Sequence, residues 1–428
     1  MNEDYIKIYH DRSVYVSRGT EREYIEGPQS LQASRNQDKI KATLDAGYLD
    51  QIIINSFLTD QEQSLVFPAL QNALINLVGS ITSEVGRAIV GLTVLQLTVK
   101  AIVPEQSIRL HKAARNRSGF SWVDGIPMRV LDNTYITPKL REHNLLKLNA
   151  DGFMMTRSLA ENYPYTALYK ASIRGAKGEW VLIVDAVEAE PKSALPALKL
   201  LITLLKQRSE EFAKLVDNST HRVQTFLANN HSVDSIKRKL FSFSPNSSYS
   251  ARLFEILIHS FYCTLSDNLK LPLFLKPLSQ MRSANKKHGN IGDIELLERK
   301  NSMTIIESWD AKYGKTYLRD ELEELRDKLE THPETKLAGF VTDSTPILNS
   351  EIKTRVQELE EMFDTVIRIE SLEMWYTNAI SEYRIDNEDV FLKQWLSTFF
   401  DYLFLKKMYF APIDEPTNVW IEECLKIL

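Results

Sequence analysis

The chain has 428 residues, 43% hydrophobic and 25% charged, with a net charge of −5, which fits two to three folded domains and excludes a polycation. Two cysteines, Cys263 and Cys424, are too few for a disulfide framework and read as core residues; no Cys/His cluster offers a zinc site. No run reaches the ~18–20 apolar residues of a membrane span, and the opening MNEDYIKIYHDRS lacks the apolar core of a signal peptide, so a cytoplasmic protein with no membrane partner is expected.

In chain order, residues 38–57, 61–78 and 83–103 have helical patterning, with Asp60, Ser80 and Ser83 as N-cap candidates and Pro104 closing the third. Pro68 predicts a kink or break in the second. Residues 1–105 are read as a helical scaffold without chemistry.

The next segment, 106–178, is basic. Between Arg109 and Glu179 stand twelve Lys or Arg side chains against six Asp or Glu, a local excess of +6 in an otherwise acidic chain. Thr137-Pro138 has the form of a cap followed by proline at the first helical position, opening a helix over 139–146. Leu146, Leu148, Phe153 and Met155 then alternate across a turn at Asn149-Ala150-Asp151-Gly152, a hairpin signal. A helix followed directly by a hairpin resembles the recognition helix and wing of a winged helix-turn-helix domain. That resemblance makes Lys139, Arg141 and His143 on the helix, with Lys147 and Arg157 at the wing, candidates for groove or phosphate contact. A solvated charged face and an ordinary α+β hairpin are the structural alternative. Helices are predicted over 179–188, where a Val/Ile run also permits a strand, and over 193–216. Residues 179–245 form a helical connector, and the Ser-rich FSFSPNSSYS at 241–250 sets a boundary near 242–247.

The remaining part, 246–428, carries the chemistry. In HGNIGDIELLERKNSMTIIESWDAKYG (288–314), Asp293 lies in an apolar run with Ile291, Ile294, Leu296 and Leu297 that reads as a strand. A second β-rich run from Met303 carries Asp310-Ala311-Lys312. Side chains alternate faces along a strand, so Asp310 and Lys312 share one face, and Glu307, Trp309 and Ala311 take the other. If the strands pair, Asp293 meets Asp310, two carboxylates suited to one Mg²⁺, with Lys312 beside them. Other acid-x-Lys triplets exist (Glu190-Pro-Lys192, Glu298-Arg-Lys300, Glu334-Thr-Lys336, Glu351-Ile-Lys353), but only Asp310 ends an apolar strand with an upstream Asp in a neighbouring one. Upstream, 247–263 is a helix with Leu253, Ile256, Leu257 and Phe261 on one face. Downstream come a helix at 316–329, an apolar strand at 337–342, a helix at 350–362 and a strand at 364–369.

Gly292-Asp293 followed by Asp310-x-Lys312, within helix–strand–strand–helix–strand–helix–strand, resembles the PD-(D/E)XK nuclease superfamily over about a third of the chain, residues 246–383. Glycine stands where the superfamily name has proline. The resemblance implies an α/β (α+β) restriction-endonuclease-like catalytic core behind a mainly helical amino-terminal half. It also implies a Mg²⁺ cofactor held by Asp293, Asp310 and Glu255, which matches the superfamily's helix glutamate, and Lys312 as the catalytic lysine. Glu307 rivals Asp310 as the second carboxylate, a bulge near Trp309 being able to reverse the face count. Glu295 shares the face of Asp293, and His288, Tyr313, Lys315 and Tyr317 flank the site. The implied activity is that of a type II restriction enzyme. It cleaves double-stranded DNA to 5′-phosphate and 3′-hydroxyl ends, as a homodimer on a near-palindromic site, beside a cognate DNA methyltransferase. Two alternatives stay open: a repair, transposition or modification-dependent nuclease with the same core, and a DNA-binding regulator on a degenerate nuclease fold. The aromatic stripe Phe391, Trp395, Leu396, Phe399 and Phe400 reads as core.

Overall fold

The computed structural model describes residues 4–17, 19–81, 84–111, 121–146, 163–169, 173, 175–229, 231–247, 250–269, 271–278, 290–405 and 417–428. The chain divides into two compact units, Met1–Ala213 with Ile413–Glu415, and Lys214–Pro412 with Pro416–Leu428. The division falls within one long helix, whereas the sequence sets its boundary near 242–247.

The first unit opens with a three-stranded antiparallel sheet, β1 (Tyr5–Ile8), β2 (Arg12–Ser17) and β3 (Thr20–Ile25), where the sequence predicts only helical scaffold. Its cause is local. Val14-Tyr15-Val16 is β-branched and aromatic, and Tyr15 and Tyr24 bury against Leu110 and Trp122. The helix expected over 38–57 is two, α1 (Leu31–Asp45) and α2 (Tyr48–Ile54), because Gly47 takes the left-handed conformation at φ 81°. The break expected at Pro68 is present, with α3 (Asp60–Ser64) ending before it and α4 (Pro68–Gly79) starting on it. Thr59, not Asp60, caps α3 through a capping box with Glu62, and Ser80 follows the carboxy-terminal end of α4 instead of opening a helix.

Helix α5 (Glu84–Ile102) is the centre of this unit, and its buried Thr93, Gln96, Thr98 and Lys100 are each hydrogen-bonded. Gln96 donates to the Ile108 carbonyl and accepts from the Trp180 indole, both at 2.8 Å, and Lys100 pairs with Glu188 at 2.8 Å. The α-helix predicted after Thr137-Pro138 is present and shorter, with Pro138 in its first turn, but Thr137 does not cap it because the chain arrives already helical. Instead α6 (Met128–Leu131) runs through a π-helical turn (Asp132–Ile136) into α7 (Thr137–Glu142), and the Thr137 hydroxyl donates to Asp132 at 2.8 Å. The 179–188 segment is helical, within α8 (Lys177–Ala189), and α9 (Ala194–Ala228) extends well beyond the predicted 216.

In the second unit follow α10 (Val233–Ser242), α11 (Ser250–Leu269), β4 (Phe274–Leu275), β5 (Ile294–Leu297), β6 (Ile305–Lys312), α12 (Arg319–Leu329), β7 (Leu337–Thr342), α13 (Ser350–Phe363), β8 (Val366–Ser371), α14 (Leu372–Glu382), α15 (Glu388–Leu405) and α16 (Thr417–Ile427). The five strands form one mixed sheet in sequential order, antiparallel from β4 to β6 and parallel from β6 to β8. The unit is therefore α+β around a mixed sheet. On one face Leu322, Leu325 and Leu329 of α12 and Ile352 and Leu359 of α13 pack on Ile305, Ala338, Phe340, Ile367 and Ile369. On the other, α11 and α14 cover β6 and β7, with the Trp309 and Trp375 rings 6.3 Å apart. Phe391, Trp395, Leu396, Phe399 and Phe400 are buried, as the core reading of that stripe expects.

Gly339 on β7 lies directly under the Trp309 indole: a Cβ there would stand 2.2 Å from a ring carbon. Gly339→Ala should cost about 1–3 kcal/mol, the range of an overpacked core, measured by chemical denaturation. Wild-type stability in this variant would show that the sheet yields there.

Candidate functional site

The site follows from one register. Ile294 pairs with Trp309 in the antiparallel β5–β6 ladder, so Asp293, one residue earlier, comes opposite Asp310. The bulge in this ladder lies at Leu296/Leu297, facing Ile305 and Glu307, and leaves the run from Glu307 to Lys312 regular. Asp310 and Lys312 thus share one face with Ser308, and this face lies toward α12; a small cavity there is lined by Ser308, Asp310, Glu321, Leu325 and Lys328.

Glu307 takes the opposite face. It accepts hydrogen bonds from the Trp309 indole at 2.7 Å, the Tyr262 hydroxyl at 2.9 Å and the Tyr383 hydroxyl at 3.2 Å. Burial raises its pKa, against the lowering effect of these donors. The structure does not bring this candidate to the carboxylate pair; strand alternation separates them.

Asp293 and Asp310 are hydrogen-bonded to each other, Asp293 also accepts from the Ala311 amide at 3.1 Å, and Lys312 Nζ lies 2.9 Å from Asp310. Two full negative charges about 4 Å apart repel by about 4 kcal/mol at an effective dielectric of about 20, equivalent to roughly three pKa units. One proton is therefore shared. Burial, then Asp310, then Glu255 push the Asp293 carboxyl well above its ordinary 3.8. Burial acts the same way on Asp310, but the Lys312 charge, the bond to Asp293 and the Lys328 charge outweigh it and hold Asp310 low. Lys312 stays protonated, its pKa raised because Asp310 overcomes the effect of burial.

Glu255, on α11, forms an ion pair with Arg252 and acts on Asp293 through its charge. Glu295 is spent elsewhere: nearly fully buried, it accepts from the Ile291 amide at 2.6 Å and from Lys276 Nζ at 2.5 Å. Lys276 also donates to Asn290 at 2.9 Å, and Lys328 Nζ donates to the Ile291 carbonyl at 2.8 Å. Gly292 is required by contact, since a Cβ would meet the Trp309 carbonyl oxygen and Ser308 Oγ, each at 2.6 Å. Sequence reasoning missed Lys276 and Lys328. For Lys328 a signal existed, because Glu321, Leu325 and Lys328 are spaced i, i+4, i+7 on the stripe that faces the sheet.

Of the flanking candidates, Tyr313 packs on Phe254, Lys315 pairs with Glu321, and Tyr317 donates to Glu351 at 2.8 Å. In the first unit Lys139 and His143 both engage Asp50, at 3.1 Å each, and Lys139 also bonds Glu142; Arg141 is exposed. Lys147, Arg157, the hairpin expected between them and His288 lie outside the described residues.

Among the described residues no set of three His, Cys, Asp or Glu side chains converges as a metal cage. The donor chemistry of the pair nonetheless fits Mg²⁺, which binds through one or two carboxylates and keeps several waters. No protein-family model and no curated protein matches this chain.

A carboxyl whose pKa is higher folded than unfolded stabilises the fold while protonated, and that contribution is lost as pH rises from 3.8 through the folded value. Asp293→Asn removes the penalty. In metal-free protein the variant should melt about 2–4 °C above wild type at neutral pH, the gap widening from pH 5 to pH 8 in a calorimetric series. A lower melting temperature at every pH would contradict the shared proton.

Proposed function

We propose that this protein is a Mg²⁺-dependent endonuclease of double-stranded DNA, built like the PD-(D/E)XK nucleases, with its active centre at Asp293, Asp310 and Lys312. The observation that carries the reading is the Asp293–Asp310 hydrogen bond with Lys312 on the same face. A protein does not hold two carboxylates in contact without some compensating charge, and here the compensation is one proton and one lysine.

Asp293 and Asp310 would hold Mg²⁺, Asp293 giving up its proton on binding, with Glu255 contributing charge from α11. When bound, Mg²⁺ supplies Lewis acidity that makes water a better nucleophile and screens the phosphate. Lys312 has two tasks. Its ammonium lies beside the carboxylates, where it orients the incoming water and stabilises the charge that builds on the phosphate in the transition state. The buried neighbours of β6 exclude bulk solvent from behind the pair. The products would be a 5′-phosphate and a 3′-hydroxyl.

Cleavage of both strands requires two such centres, hence a homodimer on a near-palindromic site. Duplex contact in the first unit falls to the basic segment, with Arg141 the exposed cation of α7 and Lys147 and Arg157 its further candidates. Lys139 and His143 both engage Asp50, Lys139 also Glu142, and are weaker candidates for phosphate contact. A partner methyltransferase belongs to the restriction form of this reading.

The test is a digest of methylation-free phage DNA with Mg²⁺ or EDTA, using wild type, Lys312→Ala and Asp310→Asn. Wild type should give discrete fragments only with Mg²⁺, and each variant should lose about 10²-fold or more in rate. Tight DNA binding without cleavage, on methylated and unmethylated DNA alike, would overturn the enzyme in favour of a regulator.

A further inference from the structure

The catalytic reading explains Asp310 and Lys312, which stand on a regular strand. It does not explain what fixes Asp293, which precedes β5 and has no ladder of its own. Three contacts converge on the preceding turn. Glu295 takes the Ile291 amide at 2.6 Å, Lys328 of α12 takes the Ile291 carbonyl at 2.8 Å, and Lys276 ties Asn290 (2.9 Å) to Glu295 (2.5 Å). Both polar groups of one peptide residue are thus held by charged side chains from different elements, with Gly292 pressed on β6 immediately after. Charge-assisted bonds of this kind are about twice as strong as neutral ones, and two of them on one residue leave its backbone a single orientation.

We propose that Lys328 is a positioning residue of the Asp293–Asp310 centre: by holding the Ile291 carbonyl it sets Asp293 at the distance from Asp310 that a divalent cation requires. The proposal rests on the metal-site reading above and deepens it. It differs in sign from the simpler role its charge suggests. An ammonium beside Asp310 repels an arriving cation, so a lysine acting only as a charge weakens metal binding, and its removal tightens it. A lysine that positions Asp293 does the reverse.

The measurement is Mn²⁺ affinity by electron paramagnetic resonance on the full chain, as wild type, Lys328→Met, Lys328→Arg, Lys276→Met and Leu359→Ala. Lys328→Met should weaken Mn²⁺ binding 10–100-fold, the range for lost outer-shell partners. Lys328→Arg should recover most of it, and Lys276→Met should weaken it in the same direction. Leu359→Ala, in α13 and outside the cavity that Ile291, Gly292 and Lys328 line, should lower the melting temperature and leave the affinity within about twofold, which separates positioning from general packing. In the digest Lys328→Met should need more Mg²⁺ for half-maximal rate and approach wild-type turnover at saturation, whereas Lys312→Met stays slow at any Mg²⁺. Unchanged or tighter Mn²⁺ binding by Lys328→Met overturns the positioning role alone. Absence of Mn²⁺ binding by wild type overturns the metal-site reading and this role with it.

Discussion

Two carboxylates in contact inside a protein are an electrostatic burden, and the second unit is arranged around carrying it. Asp293 and Asp310 cannot both be ionised without an opposing charge, and the neighbours supply that charge in graded form: a proton between them, Lys312 at 2.9 Å, and the longer reach of Lys328. Asp310 and Lys312 stand on β6, Lys328 on α12 and Asp293 just before β5, so the pair exists only when these elements are assembled. That dependence makes the centre a product of tertiary structure and not of a loop.

The two faces of β6 then divide the work. Toward α12 lie Ser308, Asp310 and Lys312, the last two paired with each other; toward α11 and α14 lie Glu307 and Trp309, locked by Tyr262, Tyr383 and the Trp375 ring. The second face fixes the strand so that the first can be used. Gly339 and Gly292 are the two points at which the packing admits no side chain, one under an indole and one against a backbone carbonyl. Gly292 thereby has a physical reason of its own, since the turn that carries Asp293 touches β6 at that residue.

Legibility followed the strength of local periodicity. β7 over 337–342 and α13 from Ser350 were readable because a doubly buried strand is continuously apolar and an amphipathic helix repeats at 3.6. The meeting of Asp293 with Asp310 was readable too, because strand alternation is a rigid rule and the bulge fell upstream of the residues that matter. The amino-terminal sheet was not, as its charged outer residues (Lys7, Glu21, Arg22, Glu23) mask a short apolar core at Val14–Val16 whose partners, Leu110 and Trp122, lie far along the chain. Nor was the break at Gly47, where a left-handed glycine ends a pattern that is periodic on both sides. The roles of Lys276 and Glu295 depend on contacts between separate strands and a turn, which spacing does not encode, and the pairing of Lys139 and His143 with Asp50 is likewise a long-range fact.

The most direct test of the central claim is anomalous diffraction from crystals grown with millimolar Mn²⁺. The account predicts a strong peak bridging the Asp293 and Asp310 carboxylates, with Lys312 retained beside them. A map with no metal there, and the two carboxyls still hydrogen-bonded to each other, would contradict it.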